Sequence, residues 1–286
     1  MQISNEWEDY EIINAGNGEK LERWGTIFLR RPDLQAMWSS NNDLWNKADG
    51  IYYRSDKGGG YWDFITVIPE FWTINYKQLT FKVCPTGFKH TGLFPEQAIN
   101  WDFMINKIKN SNRQVKVLNL FAYTGGATMA CLSAGASVTH VDASKGMVQW
   151  AKENAKLSKL ENSDVRYIID DCLKFVEREA RRGNTYDAII MDPPSYGRGP
   201  NGELWKIEDN LSLLINSCQK ILSAKPLFFL INSYTTGISS TTLYNILKTT
   251  IEVKYKGKIE HGEIGLSVKN EKLVLSCGIY ARWECD

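Results

Sequence analysis

No two of the six cysteines, Cys84, Cys131, Cys172, Cys218, Cys277 and Cys285, stand in a Cys-x-x-Cys pair. They are scattered through apolar segments, which argues against a zinc knuckle or a disulfide framework and fits a reducing compartment. No stretch approaches the ~18–20 apolar residues of a membrane span. Met1 to Tyr10 is polar and acidic, without the apolar run of a secretion signal. Net charge is also lacking, since 34 Lys+Arg against 33 Asp+Glu leaves +1. An overall basic balance, which favours nucleic acid, is therefore absent, although a local patch would suffice. These absences lead us to expect a cytoplasmic protein without a membrane partner or a metal.

Tryptophan, by contrast, is abundant, and Trp7, Trp24, Trp38, Trp45, Trp62, Trp72 and Trp101 all precede residue 110. That shift in composition marks the N-terminal third as a separate unit, with an expected division into 1–88 and 89–286. Between Tyr10 and Val83, short apolar runs alternate with turn residues. Thr26–Arg30, Gly50–Arg54, Asp63–Val67, Trp72–Tyr76 and Leu79–Val83 read as strands. Asn17-Gly18 and Gly58-Gly59-Gly60 punctuate them, so a small, mostly β module of hairpins is expected. Pro32 to Trp38 suggests one or two helical turns.

After Phe94-Pro95-Glu96 the texture changes. Gln97–Lys109 has the apolar spacing of an amphipathic helix. Strands are then expected at Val115–Phe121, Ser137–Val141, Val165–Ile169, Tyr186–Met191, Leu227–Ile231 and Lys272–Tyr280. Helices are expected at Ala127–Ala134, Lys145–Lys156, Leu173–Arg182, Asp209–Leu222 and Thr241–Thr249. Such alternation predicts an α/β, Rossmann-like parallel sheet covered on both faces. Ligands of such sheets bind beyond the carboxyl ends of the strands.

Three of those ends carry suggestive residues. Val117–Phe121 runs into Ala122-Tyr123-Thr124-Gly125-Gly126, where glycine permits close backbone approach and the following helix N-terminus favours an anion. Taken alone, this loop fits an ordinary βα turn equally well, and the Gly-x-Gly-x-x-Gly fingerprint of dinucleotide sites is absent. Asp142 ends the next strand, roughly 20 residues on, where an acidic side chain meets ribose hydroxyls in nucleoside-binding folds. A helix cap is its alternative role, although Ser144 can also cap. Asp192-Pro193-Pro194-Ser195 follows an apolar strand, and its two prolines stiffen the loop.

As a set, Asn119–Gly126, Asp142, Asp170-Asp171-Cys172 and Asp192–Ser195 resemble the class I S-adenosylmethionine-dependent methyltransferases. Leu118–Gly126 and His90–Gln97 resemble the branch that modifies large-subunit ribosomal RNA. The resemblance covers roughly residues 85–286; the N-terminal module shows no convincing match to a PUA domain. It implies that Phe121, Ala122, Tyr123 and Gly125 line the methionine part of the cofactor. Thr124 and Ser144 belong to the same implied set. Asp142 would hold the ribose, Asp171 the adenine amino group, and the Cys172 amide a ring nitrogen. Asp192 and Pro193 would flank the sulfonium, and Phe94 and Gln97 would close from the far side. Asp170 reads as a solvated neighbour.

Carbon-5 methylation of cytosine requires a cysteine nucleophile. In the resembling cytosine enzymes that cysteine follows the fifth strand, where this chain reads Leu230-Ile231-Asn232-Ser233-Tyr234-Thr235. A nitrogen or other cysteine-independent acceptor is therefore expected, with Asp192, Pro193 and Pro194 orienting it. Tyr196, Arg198, Trp205 and Lys206 are candidates for contacting a base and phosphate, on a glycine-rich loop that reads as a lid. Tyr61-Trp62 is either a second aromatic platform or hairpin core. Lys248, Lys254, Lys256 and Lys258 read as a solvated face. The expected activity is S-adenosylmethionine-dependent methyl transfer to ribosomal RNA. A small-molecule methyltransferase and a catalytically silent cofactor- or RNA-binding protein stand as alternatives, with an NAD-linked oxidoreductase more distant.

Overall fold

Asn17 and Gly18 have φ of +56° and +78°, the left-handed backbone that a two-residue type I′ hairpin turn requires. The computed structural model describes residues 1–55, 59–269 and 271–285. Gly58, the first of the three glycines noted above, lies outside the described residues. The chain forms two compact units, Met1–Ile99 with Ile264–Cys277, and Asn100–Glu263 with Gly278–Asp286. From composition the boundary falls at 88/89; the composition shift carries no trace of the C-terminal return to the first unit.

The first unit contains strands β1 (Gln2–Ser4), β2 (Tyr10–Gly16), β3 (Glu19–Trp24), β4 (Ile27–Pro32), β5 (Gly50–Arg54), β6 (Gly60–Phe64), β7 (Trp72–Tyr76) and β8 (Leu79–Val83). Five of them form a sheet in the order β2-β3-β4-β5-β6, parallel only between β4 and β5. β7 and β8 form a separate hairpin. β1 pairs in parallel with Ile264–Leu266, and Ile12 bridges Val268. Two expectations need correction. Pro32–Trp38 is not helical: Leu34 and Gln35 form a turn, with the Asp33 carboxylate accepting the Gln35 amide at 3.1 Å. The sixth strand begins earlier than expected, because Tyr61 and Trp62 pair with Tyr53 and Tyr52.

Beneath β3 and β4 lies a buried ionic cluster. The Glu22 carboxylate accepts Arg31 Nε at 2.6 Å and Nη2 at 2.7 Å, and the Tyr10 hydroxyl at 2.7 Å. Burial alone would raise the Glu22 pKa, but the Arg31 and Lys20 charges bring it down to about 2.

The second unit continues from α1 (Ala98–Asn110) through β9 (Lys116–Leu120), α2 (Gly126–Ser133), β10 (Ser137–Asp142), α3 (Lys145–Leu157), β11 (Val165–Ile169) and α4 (Cys172–Arg182). It then runs through β12 (Ala188–Met191), β13 (Tyr196–Arg198), β14 (Leu204–Lys206), α5 (Ile207–Lys220), β15 (Phe228–Ser233), α6 (Ser240–Thr250) and the parts of β16 (Gly257–Ser267) and β17 (Val274–Cys285) that lie outside Ile264–Cys277. The strand order is β11-β10-β9-β12-β15-β17-β16. The first five in this order are parallel, and β17 is antiparallel to β15. The β-α-β run is parallel as expected, and the antiparallel β17 makes the sheet as a whole mixed. β16 escapes notice in the sequence because Gly257, Gly262 and Gly265 dilute its strand character.

Alternating side chains serve the two faces of the sheet. Leu118, Leu120, Ile189, Met191, Phe229 and Ile231 share one core with residues of α4, α5 and α6. The intervening Asn119 and His140 face α2 and meet its Thr128. Strand order reverses between β9 and β12, which is the topological switch point where such sheets bind ligands. Among the described residues no helix is long and apolar enough to cross a membrane.

Candidate cofactor and acceptor site

The loop after β9 is shaped by three left-handed residues, Phe121 (φ +54°), Tyr123 (φ +51°) and Gly125 (φ +85°). Non-glycine residues seldom hold that backbone, so surrounding contacts must fix it. The Phe121 amide donates to the Cys172 thiol at 3.4 Å and the Ala122 amide to the Val141 carbonyl at 3.0 Å. The Tyr123 amide reaches Asp142 Oδ2 at 2.8 Å, and Asn154 Nδ2 donates to the Thr124 carbonyl at 2.8 Å. Gly125 then caps α2 without contributing a side-chain acceptor. A Cβ at Gly126 would lie 2.7 Å from the buried Trp101 ring, so only glycine lets this turn close.

Asp142 receives a second amide, that of Ser144, on Oδ1 at 2.8 Å. Burial raises its pKa, and the two amides act against that rise. Each carboxylate oxygen thus accepts one N–H and keeps a lone pair for another donor. Ser144 caps α3 by accepting the Met147 amide, and Asp171 caps α4 by accepting the Lys174 amide at 2.9 Å. Asp170 is ion-paired to Arg178. Cys172 is buried at the start of α4, and burial pushes its thiol well above the usual value.

Asp192 and Pro193 follow β12, and Pro193 is buried. The Pro194 carbonyl already accepts the Trp205 indole N–H at 2.7 Å. Ser195 Oγ and Thr235 Oγ1 lie 2.8 Å apart, tying this loop to the one after β15. The expected lid is a short hairpin. β13 and β14 pair Tyr196 with Lys206, Gly197 with Trp205 and Arg198 with Leu204. Alternation puts Tyr196, Arg198, Leu204 and Lys206 on one face and Trp205 on the other. Tyr196 is 56% exposed, whereas Trp205 is 5% exposed and packs on Phe121. Trp205 thus lacks the open stacking face expected of it. Lys174 Nζ donates to the Glu203 carboxylate at 2.7 Å, and that bond brings its pKa down to about 2.

Phe121–Gly125, Asp142, Ser144, Asp171, Cys172 and Asp192 therefore gather at the carboxyl ends of β9 to β12. Phe94 and Gln97 belong to the first unit, Phe94 as the cap of a short 3-10 helix and Gln97 buried within it. Sequence reasoning missed a polar ladder across the sheet, Asn119–His140–Tyr167, whose members are register partners. Asn119 Nδ2 donates to Thr128 Oγ1 at 3.0 Å, and that hydroxyl lies 3.0 Å from His140 Nδ1. Burial lowers the His140 pKa to about 3. Three polar residues at matching places in apolar strands were the available signal. Among the described residues no group of three or more His, Cys, Asp or Glu side chains is placed to hold a metal.

These residues fit an amino-acid nucleoside. The α2 N-terminus, without a side-chain cap, suits a carboxylate, and Asp142 has acceptor capacity for a diol. A family model described as S-adenosylmethionine-dependent methyltransferase matches residues 49–237. A solved S-adenosylmethionine-dependent methyltransferase from Agrobacterium tumefaciens superimposes with a TM-score of 0.95 at 38% identity, covering 100% of this chain and 93% of that one. A ribosomal RNA large subunit methyltransferase K/L of Pseudoalteromonas atlantica is 38% identical over 140 residues, 48% of this chain and 19% of that protein. Its namesake in Shewanella baltica is 31% identical over 177 residues, 60% of this chain and 24% of that protein. The chain thus spans only about a fifth to a quarter of the length of these curated relatives.

Proposed function

The chain belongs to the S-adenosylmethionine-dependent methyltransferase family, and from that premise we propose that it methylates ribosomal RNA at a nitrogen or another acceptor needing no cysteine nucleophile. The observation that carries this reading is the outward face of the β13–β14 hairpin. It sets Tyr196, Arg198 and Lys206 directly after Asp192–Ser195 and leaves them exposed. An aromatic ring beside two cations suits a base and its phosphates. The names of the matching relatives support the same substrate. The compartment we propose is the cytoplasm.

In this reading Phe121, Ala122, Tyr123, Thr124 and Gly125 hold the methionine part of the cofactor and Asp142 the ribose. Asp171 and Cys172 serve the adenine, Ser144 fixes Asp142, and Phe94 and Gln97 belong to the same set. Bound there, S-adenosylmethionine supplies a methyl group already activated by its sulfonium sulfur. The protein's remaining work is placement and proton handling. Asp192 and the Pro193 carbonyl orient the acceptor amino group, and Asp192 takes its proton. Pro194 acts through its bond to Trp205, which occupies one lone pair of its carbonyl.

Transfer of labelled methyl groups to deproteinised ribosomal RNA tests the proposal. Incorporation abolished by Asp192→Ala is expected. Activity on metabolites or protein with none on RNA would sink it in favour of the small-molecule reading.

A further inference from the structure

Trp205 touches both sides of the site. Its indole N–H donates to the Pro194 carbonyl at 2.7 Å, within the acceptor loop. Its ring centroid lies 4.8 Å from that of Phe121 at an interplanar angle of 56°. Phe121 opens the cofactor loop, with a left-handed backbone and its amide on the Cys172 thiol. Across the hairpin, Trp205 faces Gly197, where a Cβ would already contact the Pro194 ring at 3.4 Å. The hairpin is also fixed at its turn, by Lys174 with Glu203, and at its base, by the Ile207 amide on the Ser195 carbonyl at 3.1 Å, Asn210 Nδ2 on the Lys206 carbonyl at 3.0 Å and the Ser195–Thr235 contact.

We propose that Trp205 is a positioning residue that couples occupancy of the cofactor site to the ordering of the acceptor face. The inference rests on the reading that the cofactor binds along Phe121–Gly125. A cofactor packed there restricts Phe121, and Phe121 in turn restricts the indole. The indole is rigid and carries β14 with it, while its N–H holds the Pro194 carbonyl in place. The face bearing Tyr196, Arg198 and Lys206 thereby loses freedom before RNA arrives, so less ordering remains to oppose RNA binding. The coupling is reciprocal, so RNA on that face must also tighten cofactor binding.

Hydrogen exchange of residues 196–206 in the full chain, with and without saturating S-adenosylhomocysteine, tests this. Calorimetry on the same samples establishes binding. In the parent protein the cofactor product is expected to slow exchange across the hairpin by ~5–150-fold, the usual range of coupling between sites. W205F, which keeps a ring on Phe121 and loses the N–H, is expected to bind S-adenosylhomocysteine but to show a several-fold smaller response. W205L, which loses the ring contact on Phe121 as well as the N–H, is expected to bind S-adenosylhomocysteine with a response smaller still. An unchanged parental hairpin despite calorimetric binding overturns the coupling and leaves the cofactor reading intact. A full response in both variants overturns the route through Trp205. Absence of binding to the parent overturns the cofactor reading and the coupling together.

Discussion

The Asp142 carboxylate accepts the Tyr123 amide at 2.8 Å, which makes the end of β10 and the loop after β9 a single hydrogen-bonded piece. Its other oxygen takes the Ser144 amide, so the same side chain also fixes the entry to α3. A residue that reads from sequence as a ribose ligand is therefore also the brace of the loop after β9.

Asp142→Ala is expected to weaken S-adenosylmethionine binding by ~1–3 kcal/mol or more, since a charge-assisted hydrogen bond and the brace are lost together. Titration calorimetry measures it. Because burial raises the Asp142 pKa above its usual 3.8, affinity is expected to begin falling on acidification at a higher pH than for an exposed aspartate. An affinity unchanged in the alanine variant would remove Asp142 from the site.

Acid should destabilise the protein in a defined window. Burial holds His140 at a pKa of about 3 against 6.5 for the free side chain, and burial with the nearby Arg31 charge holds His90 at about 4. Between those values and 6.5 the unfolded chain binds more protons than the folded one, so stability rises with pH across that range. Melting temperature is expected to fall steadily from pH 7 to pH 4, and less steeply in His140→Asn. Glu22, held at about 2 against 4.5 for the free side chain, loses its contribution between those values, which overlaps only the acidic end of this window. Equal slopes for parent and variant would refute the assignment to His140.

The buried pair in the first unit predicts an asymmetry. Glu22→Gln leaves Arg31 charged and buried among Trp24 and Tyr10, and is expected to cost ~3–5 kcal/mol in urea unfolding. Replacing both members with methionine is expected to restore most of that loss, because the desolvation of two ions is avoided. A double variant no better than the single one would mean that the pair contributes net stability.

If the hairpin face grips RNA backbone, Arg198→Ala and Lys206→Ala should each weaken binding and flatten its salt dependence. The slope of log affinity against log salt is expected to drop by ~0.7–0.9 per lost phosphate contact. Filter binding of ribosomal RNA fragments at several salt concentrations reads this directly. Weakened binding with an unaltered slope would assign these residues to packing instead.

Much of the second unit was legible because each β-α step is local. Val165–Ile169 and the helix from Lys145 follow from a dozen neighbouring residues, and Asp142 and Asp192 follow from strand ends. What escaped the sequence was long-range or two-sided. Whether Trp205 points outward or inward depends on its pairing with Gly197, which composition does not reveal. Asn119, His140 and Tyr167 become a ladder only once three strands are in register. β16, diluted by glycine, is held by partners far away in the chain.

That last arrangement has a consequence for how the protein is made. Ser4 pairs with Leu266, and Ile12 bridges Val268. Strands of the first unit thus wait for partners that lie more than 250 residues further along the chain. At ~5–20 residues per second, its N-terminal strand spends many seconds without its partner. Throughout that interval β1 is an unpaired strand open to the wrong neighbour, so nascent-chain holdases matter more here than the small size of the β unit suggests.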